Sequence, residues 1–300
     1  MINVGLIGYG RYGKKYLENI KKNKNFKIIK ILKDKNKKSK LFTNNKKEFF
    51  KIKKINLYII ASPINTHFEY LNIIMKKNKH IIVEKPLVKT HEEFIKFKNN
   101  LKKYRKIILI NHTDLNFKTL QKLKGKIKKI GNIRSIKLVY GKKDPYLTKN
   151  INTPNDLPFY DWLSHPLSII YYIFKNKRFK LNVKSKQTQK GKFLIQNLEI
   201  ILVNKKTSIK IYFSNNYKNK KRNLNINGSK GYLIFNGYSK KKAYFIKKNK
   251  KIDLTVENDN PIQNLLKNFE SKFIKNSTMD DKEIICQTTN QLLNITNQIK

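Results

Sequence analysis

The segment Ile7-Gly8-Tyr9-Gly10-Arg11-Tyr12-Gly13 follows the apolar residues Val4, Gly5 and Leu6 and precedes the run KKYLENIKK. Three glycines at this spacing occur in many turns, so the flanks decide their meaning. NVGLIG (3–8) reads as a buried strand. RYGKKYLENIKK (11–22) reads as an amphipathic helix with Tyr12, Tyr16 and Ile20 at spacing four, and FKIIKIL (26–32) reads as a second strand. A glycine-rich turn inside such a strand–helix–strand unit is the context of a dinucleotide-binding fingerprint. There Gly8 makes the turn, Gly10 lets the backbone approach a pyrophosphate, and Gly13 lets helix pack on strand. The amides of the first helical turn, around Arg11 and Tyr12, face the phosphates.

The alternation continues outward from this unit. KEFFKI (47–52) is a short helix, INLYIIAS (55–62) a strand, THFEYLNIIMKKN (66–78) a helix and HIIVEKP (80–86) a strand. HEEFIKFKNNLKKY (91–104) is a helix and KIILINH (106–112) a strand. Helices between strands require crossover connections, hence a parallel sheet covered on both faces, a Rossmann-like doubly wound α/β domain expected over residues 1–115. Beyond it the rhythm changes. A helix at LNFKTLQKLKG (115–125) precedes GNIRSIKLVYG (131–141). Past residue 180 come NVKSKQT, GKFLIQNLEIILVN, TSIKIYFSN, RNLNINGSKGYLIFNG and KAYFIKK, strand-like runs separated by turn residues. These predict an α+β domain over 116–300 with one large, mostly antiparallel open sheet. Helices are expected at NPIQNLLKNFESKFIKN (260–276) and at the C-terminal end of the chain, the latter capped by Asp280 or Asp281.

Composition bounds the function. The chain has 300 residues and a net charge of +49, a balance that ordinarily points to nucleic acid. Here 63 of the basic residues are lysine and only Arg11, Arg105, Arg134, Arg178 and Arg222 are arginine, while asparagine numbers 39. Lysine, asparagine and isoleucine have AT-rich codons, so mutational drift explains the bias without a selected partner. Arginine, the usual reader of phosphates and guanine edges, is scarce, and the lysines are spread over the whole chain. No specific nucleic-acid partner is expected. The single cysteine, Cys286, excludes an intrachain disulfide and fits a reducing compartment. No apolar run reaches the ~18 residues of a membrane span, and residues 1–25 lack the pattern of a signal peptide, so a cytoplasmic protein is expected. No His/Cys/Asp spacing resembles a metal site.

Two further segments carry the strongest signal. ASPINTHFEY (61–70) follows a strand with Ser62, Pro63 and His67, and HIIVEKPLVKTHEEF (80–94) ends a strand on Glu84-Lys85-Pro86. Together with the glycine turn these resemble the glucose-fructose oxidoreductase/inositol dehydrogenase (Gfo/Idh/MocA) family. The likeness runs on through GNIRSIKL, NLNINGSKGYLIFNG and NPIQNLLKNFESKFI. DWLSHPLSIIYYIF (161–174) resembles the family's Asp-x-x-x-His helix start. The resemblance implies an NAD- or NADP-dependent oxidoreductase with catalytic residues Lys85, Asp161 and His165, brought to one nicotinamide ring from two domains. Gly8, Gly10, Arg11, Tyr12, Gly13, Lys33, Asp34, Ser62, Pro63, His67, Glu84 and Lys85 are the expected cofactor residues. Lys33 can pair with a 2′-phosphate and Asp34 can bond a ribose hydroxyl, so the end of the second strand leaves NAD and NADP both open.

The implied reaction interconverts a secondary alcohol and a ketone on a sugar, sugar nucleotide or cyclitol. An imidazole such as His165 supplies a base near neutral pKa, and an ammonium such as Lys85 stabilises developing alkoxide charge. Proline after Lys85 favours an extended lysine and permits a cis bond. Pro166 after His165 suits a first helical turn. The stretch TKNINTPNDLPFY (148–160) is not glycine-rich as in many family members, and it is expected to line the substrate pocket. Two alternatives stay open: a dinucleotide-binding sensor of the same fold, and a reductase of a non-sugar substrate. A homo-oligomer formed through the C-terminal sheet, dimer or tetramer, is expected.

Overall fold

The computed structural model describes residues 1–34, 39–144, 146–148, 151–175, 177–205, 207–238, 242–248, 250–277 and 282–299. They divide into two compact units. One comprises residues 1–112 with 262–289, the other 113–261 with 290–300. The sequence suggested a single cut near residue 115. The chain instead returns to the first unit, because α7 (Pro261–Ile274) is amphipathic and buries Ile262, Leu265, Leu266 and Phe269 in the core formed by Val4, Leu6, Ile31 and Ile59.

In the first unit β1 (Ile2–Ile7) leads into α1 (Arg11–Lys21), followed by β2 (Phe26–Leu32), β3 (Phe42–Thr43), α2 (Lys46–Lys51) and β4 (Leu57–Ile60). Then come α3 (His67–Lys76), β5 (His80–Val83), α4 (His91–Lys103) and β6 (Ile108–Ile110). The strands form one parallel sheet in the order β3-β2-β1-β4-β5-β6. This is a doubly wound Rossmann sheet whose order reverses between β1 and β4, and the crevice at that reversal is where such sheets hold nucleotides. The central strands are apolar on both faces, as helix-covered strands must be: β4 is buried at every position. Helix α4 starts at a capping box in which Thr90 accepts from the Glu93 amide and Glu93 from the Thr90 amide. The two-residue β3 is too short to leave a sequence pattern.

The second unit begins with a 3-10 turn, Thr113–Asn116, and α5 (Lys118–Gly125). Its sheet comprises β7 (Ile133–Gly141), β8 (Tyr146–Leu147), β9 (Lys180–Lys190), β10 (Phe193–Val203), β11 (Ser208–Ser214), β12 (Lys221–Gly228), β13 (Gly231–Asn236), β14 (Lys242–Lys247) and β15 (Lys250–Asp253). The order is β15-β14-β13-β12-β7-β11-β10-β8, with β9 pairing along the whole of β10. All neighbours are antiparallel except β7 and β11. That parallel pair is possible because the chain between them crosses through α6 (Pro158–Ile173), β9 and β10.

Helix α6 differs from the sequence expectation at its start. It begins at Pro158, which occupies the first helical position, where its missing amide costs nothing. Asp161 therefore lies in the first turn, and Pro166 sits inside the helix, with His165 before it. Nearly every residue from Pro158 to Tyr171 is buried, and a helix apolar around its circumference is held by packing even where a proline removes one backbone bond. The last helix, α8 (Lys282–Gln298), spans both units. The cap expected from Asp280 or Asp281 lies outside the described residues.

Candidate active site

The glycine turn shows three separate steric demands. Gly8 has φ of +90°, and a side-chain carbon there would come within 2.6 Å of the Ala61 carbonyl oxygen and the Ser62 amide. A side-chain carbon on Gly13 would strike the Gly8 carbonyl oxygen, so helix and strand pack here backbone to backbone. Gly10 is the opposite case: no atom lies within 4 Å of the position a side chain would take. It is the N-cap of α1, and no side-chain hydrogen bond caps the helix there. A helix N-terminus beside the sheet reversal, with room at Gly10, fits a dinucleotide pyrophosphate. Arg11 is exposed and its guanidinium lies 5.2 Å from the centre of the Tyr12 ring.

At the end of β2 the Lys33 amide donates to the Thr43 carbonyl, Lys33 is half-buried and Asp34 is exposed. The sequence pattern did not mark Lys46 and Tyr70, which share this region. The Lys46 ammonium pairs with Glu69 at 3.0 Å and lies 5.3 Å from the Tyr70 ring centre. Burial raises the Tyr70 phenol pKa above its ordinary value, the Lys46 charge acts to lower it, and the carboxylates of Glu69 and Asp34 act to raise it.

The loops after β4 and β5 are braced from within. Ser62 Oγ lies 2.7 Å from Thr66 Oγ1, which donates to the Pro63 carbonyl at 2.7 Å. Buried His67 places Nε2 2.9 Å from the Ser62 carbonyl and Nδ1 2.9 Å from the Pro86 carbonyl. Burial lowers its pKa while both carbonyls act to raise it, and a neutral ring can donate to only one of them. Glu84, 5% exposed, accepts from the Tyr16 hydroxyl at 2.9 Å and from Asn111 Nδ2 at 2.7 Å. Of the expected cofactor residues, then, His67 and Glu84 are interior braces that shape the cradle, while Gly10 and Arg11 are open. Lys85 is half-buried at the end of β5, its bond to Pro86 is cis, and its charge together with burial drives the pKa of His112 down to about 3, burial being the larger cause.

In the second unit His165 is 1% exposed and surrounded by groups the motifs did not predict. Asp114 Oδ2 lies 3.8 Å from His165 Nδ1, near enough for its charge to act on the ring and longer than a hydrogen bond. Tyr140 donates its hydroxyl to the same oxygen at 2.9 Å, and Arg222 Nη1 donates to Asp114 Oδ1 at 2.8 Å. Arg222 Nη2 lies 3.2 Å from His165 Nε2. Burial and the Asp114 carboxylate push the Tyr140 phenol well above its usual pKa. The Trp162 ring stands edge-on to His165 at 6.5 Å, and the Arg222 guanidinium lies 5.6 Å from the Trp162 ring centre. The carboxylate placed beside the imidazole is therefore Asp114, while Asp161 is exposed and its charge is felt at Tyr146, whose pKa is raised mainly by burial. One signal for Arg222 was present in the sequence: it is one of five arginines in a chain that otherwise uses lysine. Asp114 and Tyr140 carried none, being a loop acid and one more large residue on the buried face of a strand.

The chain thus joins a Rossmann unit, whose sheet order reverses beside a glycine turn, to a unit built on a large open sheet with a buried histidine. Residues 2–112, a little over a third of the chain, match the model of the Gfo/Idh/MocA oxidoreductase family with NAD-binding Rossmann fold. No curated protein matches the chain in sequence. Solved structures match its fold over nearly the full length. The UDP-N-acetylglucosamine 3-dehydrogenase of Acidithiobacillus ferrooxidans is 12% identical with a TM-score of 0.80, covering 99% of this chain and 97% of that one. A 3-ketoreductase of Actinomadura kijaniata, solved with NADP, is 12% identical with a TM-score of 0.81, covering 99% and 97%. The biliverdin reductase of Synechocystis sp. PCC 6803, solved with biliverdin and NADP+, is 14% identical with a TM-score of 0.78, covering 99% and 98%. At these identities the likeness shows the fold. No helix among the described residues is long and apolar enough to cross a membrane, and no group of three or more metal-ligating side chains occurs among them.

Proposed function

We propose that the protein interconverts a secondary alcohol and a ketone on a sugar, sugar nucleotide or cyclitol. The observation that carries the reading is His165, an imidazole held in the second unit between the Asp114 carboxylate and the Arg222 guanidinium. The nicotinamide, when bound, supplies acceptance or donation of the hydride. In the direction of oxidation, His165 takes the hydroxyl proton as the carbon gives up its hydride, leaving the carbonyl; reduction returns both. Lys85 stabilises the oxygen as negative charge grows on it. Asp161, exposed in the first turn of α6, binds substrate hydroxyls. Gly8, Gly10 and Gly13 with the first amides of α1 hold the pyrophosphate, and Lys33 or Asp34 meets the adenosine ribose.

Support for a sugar-type substrate comes from the dehydrogenase and ketoreductase that share the fold, and the presence of Lys85, Asp161 and His165 together favours catalysis over a sensor role. A second reading, reduction of a non-sugar substrate, is favoured by the equal likeness to a biliverdin reductase. The protein is further proposed to be cytoplasmic and to form a homo-oligomer through the sheet of its second unit. The discriminating experiment is a thermal-shift screen with NADH and NADPH, then with sugars, cyclitols and sugar nucleotides, followed by turnover assays on the hits. Stabilisation by a reduced nucleotide together with a sugar derivative is expected. Stabilisation and turnover with linear tetrapyrroles alone would replace the sugar reading with the second one.

A further inference from the structure

We infer that Asp114 and Arg222 are positioning residues that fix the tautomer of His165 and hold its Nε2 ready for the substrate hydroxyl; this inference rests on the reading of His165 as the base. A guanidinium carries only donors and stays protonated, so the imidazole nitrogen 3.2 Å from Arg222 Nη2 faces it with a lone pair. The ring proton of a neutral His165 then sits on Nδ1, 3.8 Å from Asp114 Oδ2, where the carboxylate acts on it through its charge and not through a hydrogen bond. An imidazolium in this place would set N–H against N–H at Arg222. The arrangement thus selects a neutral ring whose lone pair is at Nε2, the form that accepts a proton from a hydroxyl.

Arg222 Nη2 occupies the position of the incoming donor. When substrate enters, its hydroxyl replaces Nη2 as the donor to Nε2, and the guanidinium keeps its bond from Nη1 to Asp114 Oδ1. Asp114 is held in turn by the Tyr140 hydroxyl, so the carboxylate does not follow the arginine when it swings. The two charges act oppositely on His165: Arg222 disfavours its protonation and Asp114 favours it. Besides Asp114 and Arg222, the Lys220 ammonium lies 5.7 Å from the Trp162 ring centre, and among the described residues the strands beneath α6 bring one more titratable group. Tyr140 is the one on the buried face of β7, the buried positions of β10 and β11 carry none, and Asp161 on α6 itself is exposed. Lysine would offer a point charge and no rigid fork, which explains why an arginine stands here in a chain that uses lysine almost everywhere.

The test is nitrogen NMR on the full chain carrying 15N-labelled histidine, with resonances assigned by His165→Asn. The expected wild-type spectrum shows a neutral ring near pH 7 protonated on Nδ1. Asp114→Asn should lower the His165 titration midpoint and Arg222→Met should raise it, by about 1–3 pH units each. The acidic limb of kcat/KM for alcohol oxidation should move in the same two directions, which a merely structural role would not produce. If Asp114→Asn fails to fold, the wild-type tautomer and the Arg222→Met shift decide. A ring protonated on Nε2, or a midpoint unmoved in Arg222→Met, overturns the inference. The base reading fails separately, if His165→Asn turns over normally whatever the spectrum shows.

Discussion

The Tyr16 hydroxyl donates to Glu84 Oε1 at 2.9 Å across 68 residues of sequence, tying helix α1 to the segment after β5 that carries Lys85. Both partners are buried, and Asn111 supplies the second donor to the same oxygen. Tyr16→Phe therefore removes a bond to a buried carboxylate without changing ring packing. The expected loss is about 1.5–3 kcal/mol of stability, the range for hydrogen bonds to charged groups. Urea unfolding measures it. A change below about 0.5 kcal/mol would mean that water replaces the phenol and that the helix is tethered by other contacts.

Gly10→Val separates binding from folding. Its backbone is extended, with φ of −77°, and the side chain would enter open space, so the fold tolerates it. The valine would stand where the pyrophosphate belongs. Cofactor affinity should fall at least about tenfold, or ~1.4 kcal/mol, with the melting temperature of the free protein little changed. Titration calorimetry with NADH and NADPH checks this, and an unaltered Kd in the folded variant refutes the cradle. Gly8→Ala should instead damage the fold, because its φ of +90° and the nearby Ala61 carbonyl leave no place for the methyl.

The kinetic roles predict distinct signatures. His165→Asn should bind cofactor normally and lose roughly 10²-fold to 10⁴-fold in turnover. Lys85→Met should lower kcat and raise KM together, because its charge acts in both ground and transition states. Equal kcat in wild type and Lys85→Met removes the lysine from the chemistry.

Two histidines make stability fall in acid. Burial, aided by Lys106 and Lys79, lowers His80 to about 4, and its Nδ1 accepts the Ile107 amide, a bond that protonation destroys. Burial aided by Lys85 lowers His112 to about 3. In the unfolded chain both titrate near about 6.5. Below that value the unfolded state binds more protons than the folded one, so their contribution is complete above about pH 6.5 and is lost as pH falls towards 4 and 3. Melting temperature should drop over this window, less steeply in a His80→Asn, His112→Asn double variant. Identical slopes would assign the acid sensitivity to carboxylates alone.

The Rossmann half was legible because its signals are local: a glycine turn between strand and helix, apolar strands, and helices with one greasy face. The order of the second sheet was less so, since β8 and β15 are short and the parallel pairing of β7 with β11 depends on what lies between them. Pro166 misled because proline is read as a helix boundary, whereas α6 is buried so completely that packing carries it through. The surroundings of His165 were out of reach for a different reason. Asp114, Tyr140 and Arg222 come from a turn and two strands, and their meeting is a product of sheet pairing, Arg222 lying directly opposite Tyr140 in the β12–β7 ladder. The return of α7 to the first unit was equally invisible, because an amphipathic stripe shows that a helix packs, not where.

Strand β9 presents one hydrogen-bonding margin to β10, and among the described residues nothing pairs with the other. An unpaired margin of eleven residues is a template on which a stray chain could grow a fibril. Lys180, Lys184, Lys186 and Lys190 line this strand, and any approaching copy must bring its own four ammonium groups against them. The lysine content of the chain thus doubles as colloidal insurance: the margin repels its own image, and the protection weakens wherever salt or polyanions screen the charge.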